Sequence, residues 1–169
     1  TAVSRALRLL LASDDDDDSS SFERYIGKSI LLLKGDFFQL SSQVANGLFD
    51  AAWDRSSLVA IQPEHRADYV RVMERVMAPG SIILLSTFIR PNGDRTKGPP
   101  FSLDDDQVRA LYANQPWVES VECIDTFPAF AHEPWYKQVA AYWMFGGNVM
   151  EKIFVIRVKK QSSSCLNAS

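Results

Sequence analysis

A chain of 169 residues has room for one domain with a substantial buried core. Its 46% hydrophobic and 23% charged residues are those of an ordinary globular protein. A formal net charge of −3 with interspersed signs argues against a nucleic-acid footprint, and two cysteines in unrelated contexts argue against a disulfide scaffold or a zinc site.

The sequence starts at Thr1 rather than at a methionine, so a longer polypeptide is expected upstream. Residues 1–12 are acid-free and carry Arg5 and Arg8, which reads either as the remnant of a transit peptide or as a helix of the domain. Val3, Ala6, Leu7, Leu10 and Leu11 form one stripe at helical spacing, and so wide a stripe favours a helix facing a sheet. Residues 13–21 hold five consecutive aspartates, Asp14 to Asp18, and read as a self-repelling solvated loop. They lack the glycine turn and ligand spacing of a calcium loop.

The run 29–33 ends at Lys34, Gly35 and Asp36 and reads as a buried strand with its exit turn. Residues 49–53 give the next strand. Pro63 suits the first turn of a helix whose period is kept by Tyr69, Val70, Met73, Val76 and Met77, with Pro79 and Gly80 ending it. Residues 81–88 are another apolar strand. Ser102 and Asp105 read as an N-cap and partial capping box for a helix carrying Val108, Leu111 and Tyr112 inward. Residues 118–127 and 151–160 complete the strands, the last alternating Phe154, Ile156 and Val158 with Ile153, Val155 and Arg157. Between them, 132–148 is aromatic-rich and reads as a loop with a short helix, so the final two strands are expected to pair antiparallel. Residues 161–169 read as a flexible tail. Strands alternating with helices predict an α/β sheet with right-handed crossovers, and no linker divides the domain.

In open α/β sheets ligands collect beyond the carboxyl ends of the strands. Gly35, Asp36, Phe37 and Phe38 follow one strand. There an acidic side chain can accept from an adenine amino group under an aromatic cover, or it can simply cap its own turn. Trp53, Asp54 and Arg55 end another. Arg55 can clamp an anionic or electron-rich substrate with Asp54 fixing its guanidinium, or the two can form a structural ion pair. Gly98, Pro99, Pro100 and Phe101 make a rigid turn presenting one ring, either as stiffening or as a pocket wall near a sulfonium. His65 reads as solvated and His132 as packing beside Trp135 and Tyr136. No nucleophile elbow, P-loop or metal-ligand spacing occurs, so no metal is expected.

From about residue 22 to 159 the order and spacing of several dispersed motifs resemble the thiopurine S-methyltransferase family. They are Phe22 to Tyr25, Ile30 to Phe38 with Leu40, the Trp53–Asp54–Arg55 block, Pro63 with Arg66 and Tyr69, Pro79 with Gly80, the Gly98 to Phe101 turn, and Ile124, Asp125 and Phe127. The resemblance implies a Rossmann-like class I methyltransferase sheet in the order 3-2-1-4-5-7-6, with S-adenosylmethionine as cofactor and a thiol or other soft small molecule as methyl acceptor. It places Asp36 and Phe37 at the adenosine, Arg55 near cofactor and substrate, and Phe101 at the substrate, and it assigns no catalytic nucleophile. Three departures stand out. None of the eight glycines forms the cofactor loop between the first strand and first helix; Ser56 and Ser57 stand where Gly and Ala are usual; and Ala131 stands where a basic contact is expected. The expected sheet is therefore incomplete: strands three to seven are present and strands one and two are missing, leaving a gap of about 14 Å at the usual strand spacing. Such a chain binds the cofactor weakly or not at all alone. The missing strands are expected to lie upstream, to come from a protein partner, or to be replaced in a rebuilt sheet, and the chain is either part of an enzyme or an inactive accessory subunit. A cytoplasmic location is expected, with an organellar one as the alternative.

Overall fold

The computed structural model describes residues 22–90, 98–145 and 147–161. The stretch 1–12, the aspartate run and Cys165 lie outside the described residues.

The chain first makes an antiparallel hairpin of β1 (Glu23–Ile26) and β2 (Leu31–Lys34). A Gly27 N–H to Ile30 carbonyl bond of 2.7 Å closes it, and Lys34 reaches Glu23 across the ladder at 2.6 Å. The run 29–33, read as a buried strand, is corrected here: among the described residues β2 pairs only with β1, and Leu32 is exposed. A short apolar run does not reveal whether both of its faces are covered. Gly35 follows because a Cβ there would stand 2.5 Å from the buried Phe22 ring.

The main sheet contains β3 (Phe49–Arg55), β4 (Met77–Ile89), β5 (Val118–Pro128) and β6 (Met150–Val158) in the spatial order β3-β4-β6-β5. β3 and β4 are parallel, and β6 runs antiparallel to both of its neighbours. This is the 4-5-7-6 portion of the expected class I order. The parallel crossover is made by α1 (Arg66–Val76); α2 (Asp105–Tyr112) precedes β5, and α3 (Trp135–Phe145) is the short helix expected within 132–148.

Strand alternation assigns the faces. Ile83, Leu85, Phe154 and Ile156 turn to one side and form the core with Tyr69, Val70 and Met73 of α1 and Val108 and Tyr112 of α2. On the opposite face Trp53 is 71% exposed and Ile82 is also exposed.

Two element boundaries differ from expectation. α1 stops at Val76, and Met77 already has extended dihedrals, so Pro79 and Gly80 lie inside β4 instead of ending the helix. They occupy the register irregularity between the Phe49 and Ala51 pairings, where proline's missing N–H breaks no ladder bond. The cap of α2 is Asp104, whose carboxylate accepts from the Gln107 N–H while the Gln107 side chain accepts from the Asp104 N–H, each at 3.0 Å. Ser102 instead accepts from the Arg90 N–H at 3.3 Å.

Candidate functional site

β3, β4 and β5 all end at the edge of the sheet where β6 begins. Arg55 closes β3 and lies level with Ser86 of β4. It is exposed, while Asp54 before it is only 4% exposed. The expected Asp54–Arg55 pairing is thereby corrected, because adjacent residues of a strand point to opposite faces. Asp54 accepts instead from the Tyr69 hydroxyl at 2.8 Å and from the Leu58 N–H at 3.3 Å. Burial raises its pKa, outweighing the opposing effect of these bonds and those from Ser57. Burial also raises Tyr69 and Tyr112, helped in both by the charge of Asp54. Beyond Arg55 the chain turns back through Ser56, which has a left-handed φ of 68°.

Asp36 precedes a 3-10 turn (Phe37–Gln39), and its Oδ1 accepts from the Phe38 N–H at 3.0 Å. One carboxylate oxygen thus caps its own turn, as one of the two sequence readings expects. Phe37 stacks on Tyr69 with centroids 4.7 Å apart and planes 19° apart. Through Tyr69 and Asp54, the turn bearing Asp36 and Phe37 is in contact with the strand end bearing Arg55.

The 98–103 loop is fastened to the same edge from two sides. The Phe101 N–H donates to the Val59 carbonyl at 2.6 Å, in the segment after β3, and the Leu103 N–H donates to the Phe88 carbonyl at 2.9 Å, in β4. Gly98 is required there, since a Cβ would stand 2.3 Å from the Phe101 ring. Phe101 itself is buried, with the Arg66 guanidinium 5.6 Å from its ring centroid. Arg66 is buried too, and burial lowers its pKa. Arg90 at the end of β4 donates to the Pro100 carbonyl at 2.8 Å and lies 5.3 Å from the Phe145 ring centroid, which ties α3 to this edge.

Sequence reasoning assigned no role to Tyr69 beyond the core stripe of α1, nor any to Ser86 and Glu151. Ser86 donates to the buried Glu151 across β4 and β6, on the face that Arg55 shares. A hydroxyl at a core position and a glutamate opening an otherwise apolar strand were the available signals. A groove of about 410 Å³ is lined by Phe38, His65, Asp68, Arg71, Val72 and Arg75. None of Asp36, Phe37, Arg55 and Phe101 lines it.

A parallel pair extended by two strands in antiparallel ladders, with the sequence motifs at the strand exits, makes this chain an α/β protein with the mixed sheet that its sequence resemblance implies. A family model described as thiopurine S-methyltransferase matches residues 1–144. The chain belongs to the thiopurine S-methyltransferase family. It is 38% identical over 101 residues to a thiopurine S-methyltransferase of Pseudomonas paraeruginosa, a match covering 60% of this chain and 45% of that protein. To the thiopurine S-methyltransferase of Bos taurus it is 38% identical over 91 residues, 53% of this chain and 36% of that one. The chain therefore spans half or less of the length of these relatives. A crystal structure of a 1,6-didemethyltoxoflavin-N1-methyltransferase from Burkholderia thailandensis, bound to 1,6-didemethyltoxoflavin and S-adenosylhomocysteine, is similar with a TM-score of 0.41 at 15% identity, over 73% of this chain and 48% of that one.

Proposed function

We propose that this chain forms the acceptor-side part of an S-adenosylmethionine-dependent methyltransferase that methylates a thiol or another soft small-molecule nucleophile. The observation that carries this reading is the family match; it is supported by the contact of the Phe37 turn, through Tyr69 and Asp54, with the strand end bearing Arg55, and by the bonds of the 98–103 loop to Val59 and Phe88. The residues fit an adenosine: Asp36 offers a carboxylate acceptor on an exposed turn, and Phe37 offers a flat ring held by Tyr69. When bound, the cofactor supplies an activated methyl on a sulfonium. Asp36 and Phe37 would hold its adenosine, and Arg55 would orient the acceptor and draw it toward its anionic form. Phe101 would act by bracing the 98–103 loop that walls the crevice. The reaction needs no protein nucleophile: aligning acceptor and methyl in one line supplies the acceleration, worth up to about 7–11 kcal/mol in well-oriented systems.

The strands that would flank the outer edge of β3 come, on this reading, from the rest of the polypeptide or from a second protein. A cytoplasmic location suits the free thiol of Cys123. Among the described residues no helix is long and apolar enough to cross a membrane. Titration calorimetry with S-adenosylhomocysteine on this chain and on one extended upstream tests the proposal. Binding by the longer form alone identifies the upstream residues as the second wall of the site. Binding by neither removes the enzyme reading, and a bound partner restoring affinity to the shorter form identifies a split enzyme.

A further inference from the structure

The two sides of the proposed crevice meet through a pair of buried side chains that neither side accounts for. We infer that Tyr69 and Asp54 form a positioning brace that sets the Arg55 turn and the Phe37 turn against each other, so that cofactor contacts on one side and acceptor contacts on the other keep one geometry. The binding consequence rests on the methyltransferase reading above; the mechanical coupling does not.

Arg55 begins a turn that needs an anchor. Ser56 adopts a left-handed conformation that disfavours any residue with a Cβ, at a φ of 68°. The Asp54 carboxylate holds that turn through the Leu58 N–H at 3.3 Å and through Ser57. Its second oxygen is held by the Tyr69 hydroxyl at 2.8 Å. At the far end, the Tyr69 ring is the platform on which Phe37 stacks. The Phe37 turn is fixed to the same helix a second time, because Arg75 donates to the carbonyls of Phe38 at 2.8 Å and Leu40 at 3.3 Å. α1 therefore grips the Phe37 turn by a ring and a guanidinium, and grips the Arg55 turn by a hydroxyl. With Tyr69 only 3% and Asp54 only 4% exposed, water is poorly placed to replace either partner, so the contact is stiff.

A residue that only fills the core needs its ring, whereas a brace also needs its hydroxyl. Tyr69→Phe separates the two. In this chain, amide hydrogen exchange should quicken at 55–58 and at 36–40, with little change in β6. In whichever form of the protein binds S-adenosylhomocysteine, Tyr69→Phe should weaken affinity about tenfold, the scale of one buried hydrogen bond to a charged group. If the effect passes through the Arg55 turn, the same substitution in an Arg55→Ala background should cost less than about twofold. Asp54→Asn rescues the geometry, its carbonyl accepting from Leu58 and its amide donating to the Tyr69 oxygen, and should stay within about threefold of the parent.

Unchanged exchange at 55–58, or an equal affinity loss in both backgrounds, overturns the brace and leaves Tyr69 a packing residue. Altered exchange in a protein that binds no cofactor in either form removes the methyltransferase reading and leaves the mechanical coupling standing. If Tyr69→Phe does not fold, Phe37→Leu asks the same question from the other end: exchange at 55–58 must rise, and constancy there overturns the coupling.

Discussion

Asp54 carries a pH dependence whose sign follows from its burial. Its native pKa is raised above the ordinary 3.8 chiefly by desolvation, so the folded protein binds that proton more tightly than the unfolded chain does. The associated stability is complete below pH 3.8 and is lost as pH climbs through the raised native value. Tyr69 and Tyr112, the titratable groups facing it, have pKa values pushed further up and stay neutral throughout that window. Asp54→Asn removes this loss, so its thermal midpoint should gain on that of the parent as pH rises from about 4 to about 7. Calorimetric scans at stepped pH check the sign, and a variant that falls behind instead would show the carboxylate to be stabilising. Ser56 gives a second prediction. Its φ of 68° is costless for glycine, so Ser56→Gly should stabilise by about 0.5–1 kcal/mol by denaturant titration. The site was legible in part at this scale. Asp36 caps its own turn as one sequence reading had it, whereas the Asp54–Arg55 pairing failed on a rule the sequence already contained, the period of two that sends neighbours to opposite faces.

Elements were legible where they carry a long periodic signal. The four strands of the sheet and the helix between β3 and β4 follow directly from the apolar runs and the 3.6-residue stripe through Tyr69, Val70 and Met73. What the sequence did not show was set by contacts between elements. Met77 continues the helical period, yet the chain leaves the helix before it because pairing with Phe49 claims it for β4. The hairpin strand β2 reads like a core strand, since the residues that would cover it are not neighbours in sequence. The cap of α2 was misplaced because Ser102 and Asp104 are both good caps, and only the Gln107 side chain decides between them. Asp104→Ala should therefore cost about 1 kcal/mol by urea titration, while Ser102→Ala leaves the helix start intact. Gly35→Ala should cost more than a surface substitution of the same kind, because the added methyl meets the Phe22 ring and not solvent.

At the scale of the whole molecule the sheet is asymmetric, and that asymmetry is measurable. β6 is bonded on both sides, by β4 and β5, whereas β3 is bonded only to β4 among the described residues. Its outer edge offers backbone donors and acceptors with no ladder partner there, and its outward face carries the exposed Trp53, level with Leu84 of β4. Hydrogen exchange in this chain should therefore be slowest along β6 and fast at alternate amides of β3, whose N–H groups point away from β4. Protection of those amides in a form extended upstream, together with a blue shift of Trp53 emission, would show the edge and the face being covered at once. Exchange at β3 as slow as at β6 in this chain alone would mean that the edge is already satisfied, and the expectation of borrowed strands would then fail. The proposed crevice rests on the same outcome: Arg55 closes this very strand, so on that proposal whatever pairs with β3 would also build the wall facing Arg55.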